Sequence, residues 1–375
     1  MKLIILQDII KKGLSLVERA TLKSTSFPVL NNILLKGEKN FLSLTATNLE
    51  IAIMWWALAK VELEGNIIIP SYVFSSFVGS LPNKPIKLSL EETQLEVQSG
   101  SYKTLIKGQP SEEFPIIPEV NEEEFVLVES RPFCQSLSQV VSFAAPSTTK
   151  PEISGICFSF QKNLIKMVAT DSFRLGEKKY FIDLPNLSKE HTLILPQKTA
   201  KELINIFAEE EGELKIYLSP NQIVFEKLME ETKHPKIRLI SRLIEGEYPN
   251  YEAIIPKKYE TQVVVDKSEL LNQIKTASLF GGKTNTVKLK INPSKNQVEI
   301  FSQTADIGSY YSFLPAKIKG GEIEISFNHR FLVDGLANIK SAEVIFELNK
   351  ETGPGVLKPV GQEDYLYIAM PMKTD

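Results

Sequence analysis

Across 375 residues, 43 lysines and arginines meet 46 aspartates and glutamates, and the net charge of −3 excludes a uniformly basic nucleic-acid coat. The 43% apolar content is enough to fill ordinary cores in two or three domains. Cys134 and Cys157, with His191, His234 and His329, stand at no metal-ligand spacing; this excludes a zinc cluster and a disulfide framework and fits a reducing cytosol.

The first residues, MKLIILQDIIKKG, lack the apolar core and small-residue cleavage site of a secretion signal. Gln7 to Ala20 follows a helical period, with Ile10, Leu14 and Val17 on one face. FPVLNNILLKG and FLSLTATNLE then read as a pair of strands ending at Asn48. The longest apolar run, IAIMWWALA at 51–59, is far short of the ~20 residues a membrane helix needs. It reads as a strand that places Trp55 and Trp56 on opposite faces, and a soluble cytoplasmic protein is expected. Pro70 opens a second helix at a favoured first-turn position, with Phe74, Phe77, Val78 and Leu81 as its stripe. Further strands follow, and the acidic segment 118–124 reads as a linker.

The order then restarts. Ser130 to Ala145 predicts a helix with Phe133, Leu137, Val140, Val141 and Ala144 on one stripe. PEISGICFSF lies 123 positions after PVLNNILLKG, and Asp171 of ATD lies 123 after Asn48 of ATN. Pro196 to Ala208 predicts the matching second helix. Between them, IKMVATDSFRL alternates as a half-buried strand, turns at Asp171 and Ser172, and then presents Arg174 and Leu175. A cation beside an apolar residue past a turn suits the rim of a peptide site, and equally an ordinary hairpin on a sheet edge. A third, more diverged copy has helices over Asp266 to Phe280 and Asn328 to Lys340, around strands NTVKLKI and QVEIFSQT. One offset shared by helix, strand pair and helix marks an internal repeat. The expected fold is α+β: three repeated domains at 1–122, 123–258 and 259–375, each with two helices packed on antiparallel sheet. The six helical segments carry a net +4 and the remainder −7, so helices gathered on one surface would attract a phosphate backbone. Lysine's good helix propensity explains the same count without DNA.

Five stretches, in order, resemble the bacterial sliding clamp, the β subunit of the replicative DNA polymerase III: FPVLNNILL with LSLTATNLE, VATDSFRL, LIEGEYPNY at 243–251, ISFNHRFLVDGL at 325–336, and YLYIAMPM at 365–372. The resemblance spans essentially the whole chain. It implies a homodimer closed head to tail into a six-domain ring around double-stranded DNA, held without sequence preference. It further implies a non-catalytic processivity factor with no cofactor and no metal, located in the cytoplasm with the nucleoid. The partners it implies are the replicative polymerase, the clamp loader and repair proteins, each bringing a short hydrophobic peptide. Carried over by motif, the peptide pocket includes Ile153, Thr170, Ser172, Phe173, Arg174 and Leu175. Pro249, Ile254, Asn328, Phe331 and Pro354 join it, with Ile368, Met370, Pro371 and Met372 from the tail. Methionine adapts to varied apolar anchors. Arg174 can hold a carbonyl or acidic group.

The chain departs from the family at Ser172-Phe173, where Gly-His is common, and in extending to Thr374 and Asp375; both bear on peptide preference. Inner-helix positions where a cation is expected hold Tyr72 and Ser24 instead. Lys11, Lys12, Lys23, Lys150, Lys198 and Lys201 are the candidate DNA contacts. Leu105 and Ile106 against Leu279 and Phe280 are the candidate dimer contact, with ordinary core as the alternative.

Two rival classes exist. ASLFGGKT at 277–284 resembles a phosphate loop, but a helix precedes it and a strand follows, the reverse of the order such a loop needs. Gly281 is then a helix stop. A peptide-binding scaffold that never encircles DNA is the other rival.

Overall fold

The computed structural model describes residues 1–118, 124–146 and 149–372. Most of the expected acidic linker, and both Thr374 and Asp375, lie outside the described residues. Among the described residues there are six α-helices: α1 (Gln7–Val17), α2 (Ser71–Ser80), α3 (Ser130–Ser138), α4 (Gln197–Phe207), α5 (Lys267–Ala277) and α6 (His329–Asn338). Every strand pairing between named strands among the described residues is antiparallel.

The expected stripes are the buried ones. Ile10, Leu14 and Val17 of α1 are in the core, as are Phe74 and Val78 of α2 and Leu332 and Leu336 of α6. Asp266 and Asn328 cap α5 and α6 by accepting from the Glu269 and Arg330 amides at 2.8 and 3.0 Å. Two expectations change. The helix foreseen over 130–145 stops at Ser138, because the Gln139 and Val140 amides bond three residues back and the β-branched pair Val140-Val141 passes into a 3-10 turn. Pro70 and Pro196 do not sit inside the helices. Each ends a strand, paired with Asn32 and Gly155 respectively, and the helix starts one residue later.

The chain divides into two compact units. The first comprises residues 1–132, 184–188 and 202–243. It holds a five-stranded sheet, in the order Lys60–Leu63, Lys2–Leu6, Pro85–Glu91, Gln94–Ser99 and Tyr102–Lys107. It also holds an eight-stranded sheet, in which Pro235–Arg242 of the central repeat pairs with Ile51–Leu58 of the first. The second unit comprises residues 133–183, 189–201 and 244–375. Its nine-stranded sheet joins Arg174–Phe181 of the central repeat to Tyr365–Ala369 of the third, and a four-stranded sheet ends in Gly308–Pro315. The central repeat therefore gives strands to both units. Each unit contains one seam where two repeats share a sheet.

Trp55 and Trp56 lie on opposite faces, as alternation requires. Trp55 is buried against Gly13, where an added Cβ would meet its ring at 2.4 Å, while Trp56 is half-buried.

Candidate partner-binding site

Both seams end at the same turn, and the two turns keep the offset of 123 residues. In the second unit, Thr170 Oγ1 donates to the Arg174 carbonyl at 2.7 Å and accepts from the Ser172 amide at 3.1 Å. Asp171 Oδ1 accepts from the Phe173 and Arg174 amides, both at 3.0 Å, and Ser172 has a φ of +78°. In the first unit, Thr47 Oγ1 donates to the Ile51 carbonyl at 2.9 Å and accepts from the Leu49 amide at 3.1 Å. Asn48 Oδ1 accepts from the Glu50 and Ile51 amides at 3.0 and 2.9 Å, and Leu49 has a φ of +74°. Short polar side chains that bond their own backbone make the chain turn here. The neighbouring strand keeps step: the Met370 amide donates to the Phe173 carbonyl at 2.8 Å, as the Arg242 amide does to that of Glu50 at 2.9 Å.

With the backbone alike, the side chains set the two turns apart. The first junction carries Glu50, Ile51, Ala52 and Arg242, where the second carries Phe173, Arg174, Leu175 and Met370. Charges at the first turn are replaced at the second by an aromatic ring and a thioether, both well suited to an apolar ligand.

Arg174 organises the second turn. Its Nε donates to Asp171 Oδ2 at 2.9 Å and its Nη1 to Asp334 of α6. The guanidinium carbon lies 5.0 Å from the Phe331 ring centre and 5.4 Å from that of Phe143, within cation–π range. Burial alone would lower its pKa, but Asp334 and Asp171 outweigh burial and leave it raised. Tyr367, buried nearby, donates its hydroxyl to the Phe331 carbonyl at 2.8 Å; burial pushes its pKa well up and keeps it a neutral donor. Phe173 is 62% exposed and stacks on Phe331 at 6.4 Å between ring centres.

Leu175 and Ile368, paired in register, belong to a buried cluster with Cys157, Val168 and Val356. Tyr248, Tyr251, Ile255, Tyr259 and Leu366 pack against that cluster. Burial pushes the Cys157 thiol up to about 12, so it is inert packing rather than a nucleophile.

Of the residues expected in the pocket, Thr170, Phe173, Arg174, Leu175, Phe331, Ile368 and Met370 are brought together around this turn. Pro354 precedes Gly355, which pairs with Ala369. Pro371 and Met372 are half-buried, and the Met372 amide donates to the Ser326 carbonyl at 2.8 Å. Pro249 is exposed in the segment that carries Tyr248 and Tyr251. Ile254 is 46% exposed, and it is its neighbour Ile255 that packs on the cluster. Ile153 is buried, its carbonyl accepting from the Ala145 amide at 2.9 Å, and Asn328 serves as the α6 cap. Ser172 is exposed at the turn tip. Asp334, Phe143 and Tyr367 also gather around Arg174, and Ile255 packs on the Leu175 cluster. Asp334 was detectable only as the residue one helical turn beyond Phe331.

The candidate DNA lysines Lys11, Lys23, Lys150, Lys198 and Lys201 are exposed, and Lys201 donates to Gln197 at 3.1 Å. Lys12 is exposed as well, with Glu210 3.6 Å from its Nζ. At the expected dimer contact, Leu105 is 59% and Leu279 68% exposed, and Phe280 stacks on Tyr310 at 5.9 Å. Ile106 is core, 4% exposed, because alternation along Tyr102–Lys107 turns it inward when Leu105 faces out. In the ASLFGGKT stretch, α5 ends at Ala277 and a 3-10 turn and a strand follow, so the helix-stop reading holds. The left-handed residue is Gly282, with a φ of +56°, rather than Gly281.

Comparison with known proteins follows the repeat. The N-terminal, central and C-terminal domain models of the DNA polymerase III beta subunit match residues 1–118, 128–250 and 252–373. The beta sliding clamp of Synechococcus elongatus is 30% identical over 382 aligned positions, covering 100% of this chain and 99% of that protein. The beta sliding clamp of Staphylococcus aureus is 28% identical over 360 positions, covering 93% of each. Crystal structures of sliding clamps from Bacillus subtilis (TM-score 0.94) and from Pseudomonas aeruginosa bound to griselimycin (TM-score 0.93) share the fold at 24% identity over the full length of both chains. The chain belongs to the beta sliding clamp family, the beta subunits of DNA polymerase III.

Proposed function

We propose that this DNA sliding clamp works as a homodimer of three-domain subunits (1–122, 123–258 and 259–375), closed head to tail around duplex DNA. It tethers the replicative polymerase, the clamp loader and repair proteins through the pocket at Arg174, and it performs no catalysis. The observation that carries ring closure is a pair of open sheet edges. Tyr102–Lys107 ends the five-stranded sheet with Tyr102 and Leu105 exposed, and Gly308–Pro315 ends the four-stranded sheet with Tyr311 and Phe313 exposed. Unpaired edges with outward apolar side chains are what a second copy would cover. Leu279 beside the second edge and Leu105 on the first belong to that joint.

The pocket would take a short hydrophobic peptide. Its apolar side chains would meet Leu175, Ile368 and Met370, and Arg174 would hold a carbonyl or carboxylate at the rim. Lys11, Lys23, Lys150, Lys198 and Lys201 would touch phosphates diffusely, so that the ring slides and its contacts weaken with salt. No helix among the described residues is long and apolar enough to cross a membrane, consistent with work beside the nucleoid in the cytoplasm.

The deciding experiment loads the protein on nicked circular DNA and then linearises it. Retention on the circle and loss from the linear form is the expected result. Equal retention on both forms, or none on either, would leave a peptide-binding scaffold in place of a ring.

A further inference from the structure

At the far end of strand Ile51–Leu58 from the Asn48 turn, the first unit holds a groove of about 530 Å³, bordered by Ile9 of α1, Trp55, Trp56, Leu58, Leu228 and Met229. A second hollow of about 520 Å³ shares Ile9 and Leu58 and continues the apolar surface to Leu6. Leu6, Leu58 and Leu228 are 47%, 52% and 37% exposed, an apolar strip of the kind that marks a contact site. None of these residues belongs to the Arg174 pocket or to the two open sheet edges.

The charges around the groove are unevenly used. Glu210 is shared between Lys12 and Lys236, and the Lys227 ammonium is occupied by the Glu211 and Glu213 carbonyls. Glu230 and Glu231 are exposed on the lining and make no ion pair among the described residues. The side chain of Glu211, also on the lining, is 81% exposed beside Arg131. The floor is therefore apolar, and the exposed carboxylates without an ion pair, Glu230 and Glu231, stand together at one corner of a lining that otherwise sets Lys12, Lys227 and Lys236 against Glu210 and Glu211. That corner favours a basic segment over an acidic one.

We propose that this groove docks a short segment of a partner protein in which one or two large apolar side chains are followed by basic residues. The apolar side chains lie along Ile9, Leu58 and Met229, and the basic ones face Glu230 and Glu231. Apolar anchoring with a charged rim is the usual division of labour in such sites, the anchors giving affinity and the rim giving selection.

The chain has two tryptophans, and both line the groove, so intrinsic tryptophan emission reports on this site and not on the Arg174 pocket. The test titrates the full-length protein with a five-residue amidated peptide containing leucine and phenylalanine followed by lysine and arginine. Its control replaces the two basic residues with glutamates. A saturable emission change with the basic peptide, at least tenfold weaker with the acidic one, is expected. In the double variant Glu230→Lys, Glu231→Lys, checked for unchanged circular dichroism, the preference should vanish or reverse. No saturable change up to millimolar basic peptide, an equal response to both peptides, or an unaltered preference in the double variant would each overturn the proposal.

Discussion

The guanidinium of Arg174 bonds the carboxylate of Asp334, 160 residues further along the chain, and so ties the turn of the central repeat to a helix of the third. Asp171 holds the same guanidinium from its own turn at 2.9 Å. Replacing Arg174 by alanine leaves both acids without their partner and uncovers Phe331. The Arg174→Ala protein should bind a leucine- and phenylalanine-containing peptide at least tenfold more weakly, about 1.4 kcal/mol or more, by fluorescence polarisation. Arg174→Lys should recover little, since one ammonium does not reproduce the planar fork. Wild-type affinity in the alanine variant would remove Arg174 from the pocket.

Ser172 and Leu49 occupy the left-handed region at matching places in two repeats. Such a conformation costs an L-residue roughly 1–2 kcal/mol, and a β-branched side chain suffers most there. Ser172→Gly should be neutral to slightly stabilising, whereas Ser172→Val should lose about 1–2 kcal/mol or open the turn. Urea midpoints of the two variants would show it. A valine variant as stable as the glycine one would mean that the turn can relax without cost.

Gly13 and Gly335 each leave room for one ring. An added Cβ would stand 2.4 Å from Trp55 in the first case and 2.4 Å from Tyr367 in the second. Each alanine substitution should cost about 1–3 kcal/mol through overpacking. Only Gly13→Ala should also shift tryptophan emission, because both tryptophans belong to the first unit. Equal emission shifts in both variants would contradict that separation.

His329 sits in the first turn of α6, where burial, and then Arg330, lower its pKa below the usual value of 6.5. The sign follows: the unfolded chain takes up this proton before the folded one does. Its stabilising contribution is full above the usual histidine pKa and is lost as pH falls through that value toward the lower folded one. Between pH 7 and pH 5 the wild type should therefore lose more thermal stability than His329→Gln. Parallel melting profiles for the two proteins across that range would refute the assignment.

Much of the architecture was legible because its causes are local. The threonine and the short acid or amide at 47–48 and 170–171 bend their own backbone, so ATN and ATD betrayed both the turn and the repeat. Helix stripes were equally plain. The bond between Asp334 and Arg174 was not, since nothing near Asp334 in sequence records a partner 160 residues away. Nor was it legible which of Leu105 and Ile106 enters the core, because an apolar pair on an edge strand reads alike whichever member faces out. Pro70 and Pro196 satisfy a strand end as readily as a helix start, and only the pairing with Asn32 and Gly155 decides. The third repeat hid best. Its hairpin over 304–308 turns through Gly308, at a φ of +127°, in place of the threonine-acid turn of the first two copies.

Each seam between repeats is a five-pair backbone ladder, Ile51 to Trp55 against Ser241 to Ile237 and Arg174 to Lys178 against Ala369 to Tyr365. Those seams also have a continuous chain behind them. In a closed ring, a load applied across the circumference would be shared unequally: the joints inside a copy would have to shear a sheet, while the joints between copies would need only to separate a pair of strand edges and their outward side chains. Such a ring would carry its own line of opening. A gate admitting DNA would swing at the strand edges Tyr102–Lys107 and Gly308–Pro315, leaving the Arg174 pocket, which straddles a seam, undisturbed while the ring stands open.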